Sequence, residues 1–566
     1  MPPLPVQRAA ASASERFGTH LAGGDTDALA AQRALVAALC AGARASGLSV
    51  AEPIETHISF VLLVGDDAFK IKKAVDLGFV DFRALARRRF FCEEELRLNR
   101  RLASALYLDV VPVTGDAASP RLGGDGEAIE WAVRMRAFAQ RDQWDRMARD
   151  GRLEPAHVDA LARIVARFHL ALPAPRGGSV HGDPANVGRL AQDNLDALDA
   201  LLAGAPERAL LARLRDGHAR EWPRVAARAA ARNRDGFVRE CHGDLHLGNV
   251  AQFDGVPVVF DCIEFNDAFR WIDVASEVAF LVMDLLHRGR PELAARFLND
   301  WLELTGDYAG LALLPFYLRY RALVRAKVAA IRAAQRERAG APSAAAWDEC
   351  RADMALAEAL DRRPAPWLIA MHGVSGSGKT RVSQALLEAA GAVRVRSDVE
   401  RKRAHGLAAD DHGGATSAMY SERATADTYE RLARLAGEVL GAGFTVIVDA
   451  TFLERARRTR LRELARAHGV RFAIVDVRAP EPVLRERVSA RHAAGTDASD
   501  ADLRVLDAQL ASREPVDPSE ADCVRVVDNV DGADLPGFAH DAWSSVRAGE
   551  PDDVLSSGRS GAPASA

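Results

Sequence analysis

The sequence has no apolar run approaching the ~20 residues a membrane-spanning helix requires, and Met1 to Thr19 carry Pro, Ala, Ser and Arg without the apolar centre of a secretion signal. Cys40, Cys92, Cys241, Cys262, Cys350 and Cys523 are scattered with no CxxC pair, so neither a zinc site nor a disulfide framework is indicated. Both absences suit a reducing cytoplasm. There is no large excess of either charge: the net value is -5 and the pI about 6.3, which gives no bulk attraction to DNA or to anionic membranes. What remains is a charged, soluble composition over 566 residues, room for two to four domains.

The most informative stretch of the first two thirds runs from Glu240 to Asp261. Within His242-Gly-Asp244-Leu-His-Leu-Gly-Asn249, the carboxylate and the amide stand five positions apart. At that spacing one loop aims a base at an acceptor hydroxyl and an amide oxygen at a metal. Asp261 ends the apolar run Val256 to Phe260, where a hard oxygen donor at a strand tip suits Mg²⁺. The words return in Val180-His-Gly-Asp183, but a helix-period segment follows and no strand ending in Asp, so Asp183 is read as a decoy.

Upstream, Ile58 to Val64 and Ala68 to Lys72 read as a hairpin about Gly65-Asp66-Asp67, followed by a helix over Arg87 to Leu102. Ala68-Phe-Lys70 has the order of a nucleotide-facing kinase strand, with Lys72 on the same face by period two. The acidic partner is sought among Glu93, Glu94 and Glu95, with Glu95 preferred. No G-x-G-x-x-G precedes Lys70, which leaves His57 to Ser59 to cover the phosphates. His169 reads as a packing histidine, Asp273 as a brace for the loop or a helix cap, and basic Tyr320 to Arg336 as an acceptor-facing stretch or, by preference, a solvated face.

The last third opens on a buried-strand run, Trp367 to Met371, and then Gly373-Val374-Ser375-Gly376-Ser377-Gly378-Lys379-Thr380 leading into a helix. Glycines let backbone N–H groups curl around phosphates, Lys379 neutralises charge and Thr380 offers a hydroxyl to Mg²⁺. Asp398 and Arg401, three apart after the next strand, suit a general base and an anion clamp. Asp449 ends a third strand as a further metal partner. Arg485, Arg487 and Arg491 have lid-like spacing, with Arg487 and Arg491 on one helix face. Strands alternating with helices imply a parallel sheet with ligands at its carboxyl edge.

Residues 50 to 335, through the loop at Asp244 and Asn249 and through Asp261, resemble the aminoglycoside phosphotransferase family of kinase-like folds. Residues 365 to 535 resemble the P-loop kinases that include gluconate kinases, zeta toxins and the kinase domain of polynucleotide kinase; Asp398 and Arg401 match the acceptor-site Asp-x-x-Arg of the last. The tandem order, with Glu55-Thr-His-Ile-Ser59 and Tyr107-Leu-Asp-Val-Val111, is similar to bacterial bifunctional aminoglycoside phosphotransferase/ATP-binding proteins. These resemblances imply an α+β bilobal kinase-like domain over 27–340, a linker helix over 341–363 and an α/β P-loop domain over 364–545, flanked by a flexible lead-in (1–26) and a tail (546–566). They imply ATP and Mg²⁺ as cofactors and phosphoryl transfer to a small-molecule hydroxyl or, for the P-loop domain, a nucleic-acid 5′ end. The alternative is a single active P-loop kinase or ATPase regulated by a silent kinase-like domain.

Overall fold

The computed structural model describes residues 23–56, 58–76, 80–175, 177–202, 204–411, 419, 421–494, 502–529, 537, 543 and 544. His57, most of the expected lead-in and the whole expected tail lie outside the described residues. The chain divides into two compact units, Met1–Pro364 and Ala365–Ala566.

In the first unit, β1 (Ile54–Glu55), β2 (Ser59–Val64), β3 (Asp67–Lys72), β4 (Tyr107–Thr114), β5 (Arg121–Leu122) and β6 (Glu130–Arg136) form one antiparallel sheet in the order β1-β2-β3-β6-β4-β5. Strand periodicity divides β3 between two environments. Phe69 and Ile71 pack with Leu35, Val36 and Leu39 of the helix Gly23–Ala45, which begins inside the segment expected as lead-in. Ala68 faces the other way, into a cluster with Cys92 of the helix Leu85–Ala103 and with Ala251 and Val258 of a hairpin. Lys70 and Lys72 share the parity of Ala68, so both ammonium groups are carried to that second face. The rest of the unit is mostly helical, with β7 (Val238–Glu240) paired to β10 (Trp271–Asp273), and with the hairpin of β8 (Val250–Phe253) and β9 (Val256–Val259) between them in sequence. The helix Ala344–Ala359, expected as part of a linker, instead packs along Leu314–Arg338. Its buried stripe of Ala346, Cys350, Met354 and Ala357 makes it part of this unit's core.

The second unit is a five-stranded parallel sheet in the order β12 (Val393–Arg396), β13 (Val446–Asp449), β11 (Trp367–His372), β14 (Arg471–Arg478), β15 (Val524–Asp528). Three carboxyl ends carry the residues singled out above. β11 runs into Gly373, β12 into the helix Ser397–Ala404 that holds Asp398, and β13 ends on Asp449 opposite Arg396. Among the described residues no helix is long and apolar enough to cross a membrane.

Asp183 accepts a hydrogen bond from the Ala185 N–H at 2.8 Å and caps the helix Pro184–Leu201, a structural use of the repeated motif. Asp273 likewise caps Val274–His287, accepting from the Ala275 N–H at 2.9 Å. It also grips buried Arg232 with both oxygens, at 2.7 and 2.8 Å, beside a second bidentate pair from Arg232 to Asp307 at 2.7 Å. Removing one acid from such a cluster strands part of a buried guanidinium. Asp273→Ala is therefore expected to destabilise the first unit by about 3 kcal/mol in urea unfolding; a loss below ~0.5 kcal/mol, the scale of an ordinary surface change, would contradict this reading.

Candidate active sites

The loop from His242 to Asn249 joins β7 to β8 and is held from behind by main-chain contacts. The Glu277 carboxylate accepts the His242 N–H at 2.9 Å and the Gly243 N–H at 3.1 Å, and Asp284 accepts the Leu247 N–H at 2.9 Å. Gly243 has φ 88°, and a Cβ there would meet the Phe269 carbonyl oxygen at 2.6 Å, so the tight turn ahead of Asp244 requires glycine. Asn249 donates its amide N–H to the Asp244 carboxylate at 2.8 Å and to the Asp244 carbonyl at 3.0 Å. That leaves the Asn249 amide oxygen facing away from the acid. Burial raises the Asp244 pKa, but His246, 3.3 Å away, and then His242 and Arg321 outweigh it and hold the carboxyl well below the usual carboxylate range. The Asp244 side chain is about one third exposed, so an ionised oxygen stands at the surface of the loop.

Beside it, the main-chain N–H of Phe260 donates to the Asn249 carbonyl at 3.0 Å, and the next residue, Asp261, adopts φ 64°. A non-glycine residue in that conformation is a strained turn, here secured by a hydrogen bond from its N–H to the Tyr107 hydroxyl at 3.2 Å. The Asp261 carboxylate forms an ion pair with Lys70, whose ammonium also lies 2.8 Å from Glu95. Of the three candidate acids, Glu93 pairs with Arg89 and Glu94 with Arg97, both among exposed partners. Only Glu95 lies on the buried stripe of its helix with Arg88, Cys92 and Asn99. Lys72 is no bystander: it contacts the other Glu95 oxygen at 2.7 Å and pairs with Glu264. Burial raises Glu95, but Lys70 and Lys72 overcome it and bring its carboxyl down to about 2.

In the second unit Gly373, Gly376 and Gly378 have φ 138°, 83° and 87°. A Cβ at Gly376 would meet the Leu484 carbonyl oxygen at 2.7 Å, and one at Gly378 the Asn529 amide nitrogen at 2.0 Å. The loop's wrapped form is thus incompatible with side chains at these positions. Gln509 accepts the Ser375 N–H at 2.7 Å and Asn529 donates to the Ser377 carbonyl at 2.7 Å, fixing the loop from two other elements. Val374 is in the same apolar cluster as Leu484, Val488 and Leu506. Lys379 donates to the Val374 carbonyl at 3.0 Å. Burial, together with Arg491, brings its pKa down to about 8 against the opposing pull of Asp449 and Asp398. Asp398 lies 3.5 Å from Arg401, Asp449 accepts from Ser383 at 3.0 Å, and Thr380 is exposed at the helix start. Among the arginines of the helix Glu481–Ala494, Arg485 is tied to Glu481 and Asp507, whereas Arg487 donates to the Asn529 carbonyl at 3.1 Å and so approaches the loop.

The side chains that support the Asp244 loop from behind carry no local sequence signal. Tyr320 to Arg336, expected as a solvated face, is turned inward over much of its length. Buried Arg321 donates to the Gly243 and Ser276 carbonyls at 3.2 Å, and Lys327 donates to Asn194 at 2.5 Å. The inward arginines lie over buried acids and carbonyls that come from distant parts of the chain, which a composition count does not reveal. His169 packs as expected, taking the Trp301 indole N–H on Nδ1 at 3.1 Å. That bond places its own proton on Nε2, 3.8 Å from Glu277, so the grouping of His169, Cys241 and Glu277 lacks the imidazole lone pair a metal would take. Cavities of about 730 Å³ beside Arg455, Thr459 and Glu514 and about 300 Å³ beside Arg33, Cys40 and Phe60 include none of the candidate site residues.

Oxygen is the donor type a hard cation takes, and each residue singled out for one carries it: the Asn249 amide and Asp261 in the first unit, Thr380 and Asp449 in the second. Residues 82–314 match the Phosphotransferase enzyme family, and residues 368–516 match the family described as AAA domain. The protein Rv2004c of Mycobacterium tuberculosis is 32% identical over 471 residues, 81% of this chain and 89% of the relative. Two solved structures align with about a third of the chain: a gluconokinase from Sinorhizobium meliloti (28% identity, TM-score 0.24, 32% of this chain and 95% of its own) and a sugar kinase from Janibacter (22%, TM-score 0.24, 32% and 94%). Joining a phosphotransferase-type unit to a P-loop kinase unit, this chain belongs to the same tandem family as the mycobacterial protein Rv2004c.

Proposed function

We propose that each unit binds ATP with Mg²⁺ and transfers the γ-phosphate to a hydroxyl. The observation that carries this for the first unit is the meeting of Lys70, Glu95 and Asp261, from a strand, a helix and a loop, beside the ionised Asp244 and its partner Asn249. Asp244 is the base that takes the acceptor's proton, Lys70 neutralises the triphosphate, and Asn249 and Asp261 hold the metal. Bound Mg²⁺ supplies charge neutralisation along the triphosphate. In the second unit the loop from Gly373 to Thr380 cradles phosphates, Thr380 and Asp449 hold the metal, and Arg487 and Arg491 serve the transferred group. Asp398 acts as base with Arg401 clamping an anionic part of the acceptor, which is a small molecule or a nucleic-acid 5′ end. In both units the work is positioning and charge neutralisation, since phosphoryl transfer asks little covalent chemistry of the protein.

Two experiments test this. Across a panel of sugars, nucleosides, oligonucleotide 5′ ends and aminoglycosides, Asp244→Ala and Lys379→Ala should each abolish a different subset of labelled products, by about 100-fold or more. If Asp244→Ala loses nothing with any acceptor, the first unit is the silent regulator and the two-enzyme reading fails. The second concerns pH. Free Lys379 titrates near 8, below its unperturbed 10.5, while a bound triphosphate holds it protonated. ATP affinity at this unit, measured in Asp261→Ala, should therefore be level below pH 8 and fall about tenfold per unit above it. A flat affinity to pH 9.5 contradicts the contact.

A further inference from the structure

The two lysines of β3 are not equivalent. Their carboxylate partners form one chain of buried charge: Asp261 to Lys70, Lys70 to Glu95, Glu95 to Lys72, and Lys72 to Glu264. Its ends, three residues apart in the segment after β9, close the chain back on a single loop. Exposure separates the halves. The Asp261 side chain is 46% exposed, whereas those of Lys72, Glu95 and Glu264 are at 0 to 2%. The Lys70 half therefore opens toward solvent and anything arriving from it, while the Lys72 half is sealed.

Glu95 depends on this division. Each of its oxygens has one ammonium, at 2.8 and 2.7 Å, and no other side-chain donor to it appears among the described hydrogen bonds. When Lys70 turns part of its hydrogen-bonding capacity to a phosphate, a buried carboxylate with one cation would be left undercompensated, at a substantial cost. Lys72 keeps that compensation in place. Glu264 in turn anchors Lys72 on the segment that also carries Asp261, and the Arg270 guanidinium donates to the Glu264 carbonyl at 3.2 Å to fix that segment.

We propose that Lys72 and Glu264 are positioning residues that hold Glu95, and with it the helix Leu85–Ala103, in register with the Asp261 loop, so that Lys70 alone is handed to the triphosphate. This rests on the reading of the first unit as an ATP site. It makes the repeated lysine of Lys70-Ile-Lys72 a division of labour: Lys70, buried but paired with the half-exposed Asp261, for the ligand, and the sealed Lys72 for the scaffold.

The test uses the full chain carrying Lys379→Ala, with MgATP binding followed by calorimetry and folding by thermal melting. Lys70→Met should lose MgATP affinity by about 100-fold and melt somewhat early, but later than Lys72→Met, because Lys72 still compensates Glu95 and Asp261 is half-exposed. Lys72→Met alone leaves Glu264 buried and unpaired and should melt early, so the informative variant is Lys72→Met with Glu264→Met, in which the pair is removed together. That double variant should recover most of the melting temperature yet bind MgATP about tenfold more weakly, because Glu95 and the helix are less well ordered for binding. Unchanged affinity in the double variant would overturn the proposal, leaving the pair a structural filler. A loss as large as that of Lys70→Met would also overturn it, making Lys72 a direct phosphate ligand. If Lys70→Met itself binds MgATP normally, the first-unit site is wrong and the division falls with it.

Discussion

The ion pair between Lys70 and Glu95 is the contact on which the site proposed for the first unit depends. A lysine carried inward on a strand must meet a carboxylate, because an isolated buried ammonium is far too costly to keep. Meeting that demand draws the helix Leu85–Ala103 against β3 and, through Asp261, draws the strand after the Asp244 loop to the same place. The strained backbone at Asp261 is held by the Tyr107 hydroxyl and the β8–β9 ladder, so the charge cluster and the fold specify one another. Asp244 is then fixed from below, where Glu277 and Asp284 take up its loop's N–H groups and Arg321 takes the Gly243 carbonyl.

The second unit solves the anion problem by a different route. Its loop gathers main-chain N–H groups at the end of a buried strand, a geometry that excludes side chains at Gly376 and Gly378. Lys379 there has a carbonyl for a partner where Lys70 has two carboxylates, and burial accordingly moves its pKa down where that of Lys70 moves up. One lysine has no carboxylate within ion-pair distance among the described residues; the other is already compensated by two.

Much of this was legible in the primary structure because spacing determines direction. Period two put Lys70 and Lys72 on one face of a strand, and an eight-residue loop between a strand and a helix announces its own geometry; Glu95 was preferred over Glu93 and Glu94 with no such pattern behind it, and its burial with Arg88, Cys92 and Asn99 appears only in the fold. What escaped was everything that acts across long sequence separation. Glu277 reaches the loop from 34 residues away and Arg321 from 78, and no local pattern distinguishes a brace of that kind from a surface charge. The helix Ala344–Ala359 looked like a connector for a similar reason: its buried stripe is only interpretable once Leu314–Arg338 lies beside it.

Everything above turns on there being two places in one chain that take a triphosphate. Titration calorimetry of the unmodified protein with a non-hydrolysable MgATP analogue counts them directly. The account predicts two equivalents per chain, falling to one in Lys379→Ala and to a different one in Asp261→Ala. A single equivalent in the unmodified protein, abolished by Lys379→Ala, would contradict it.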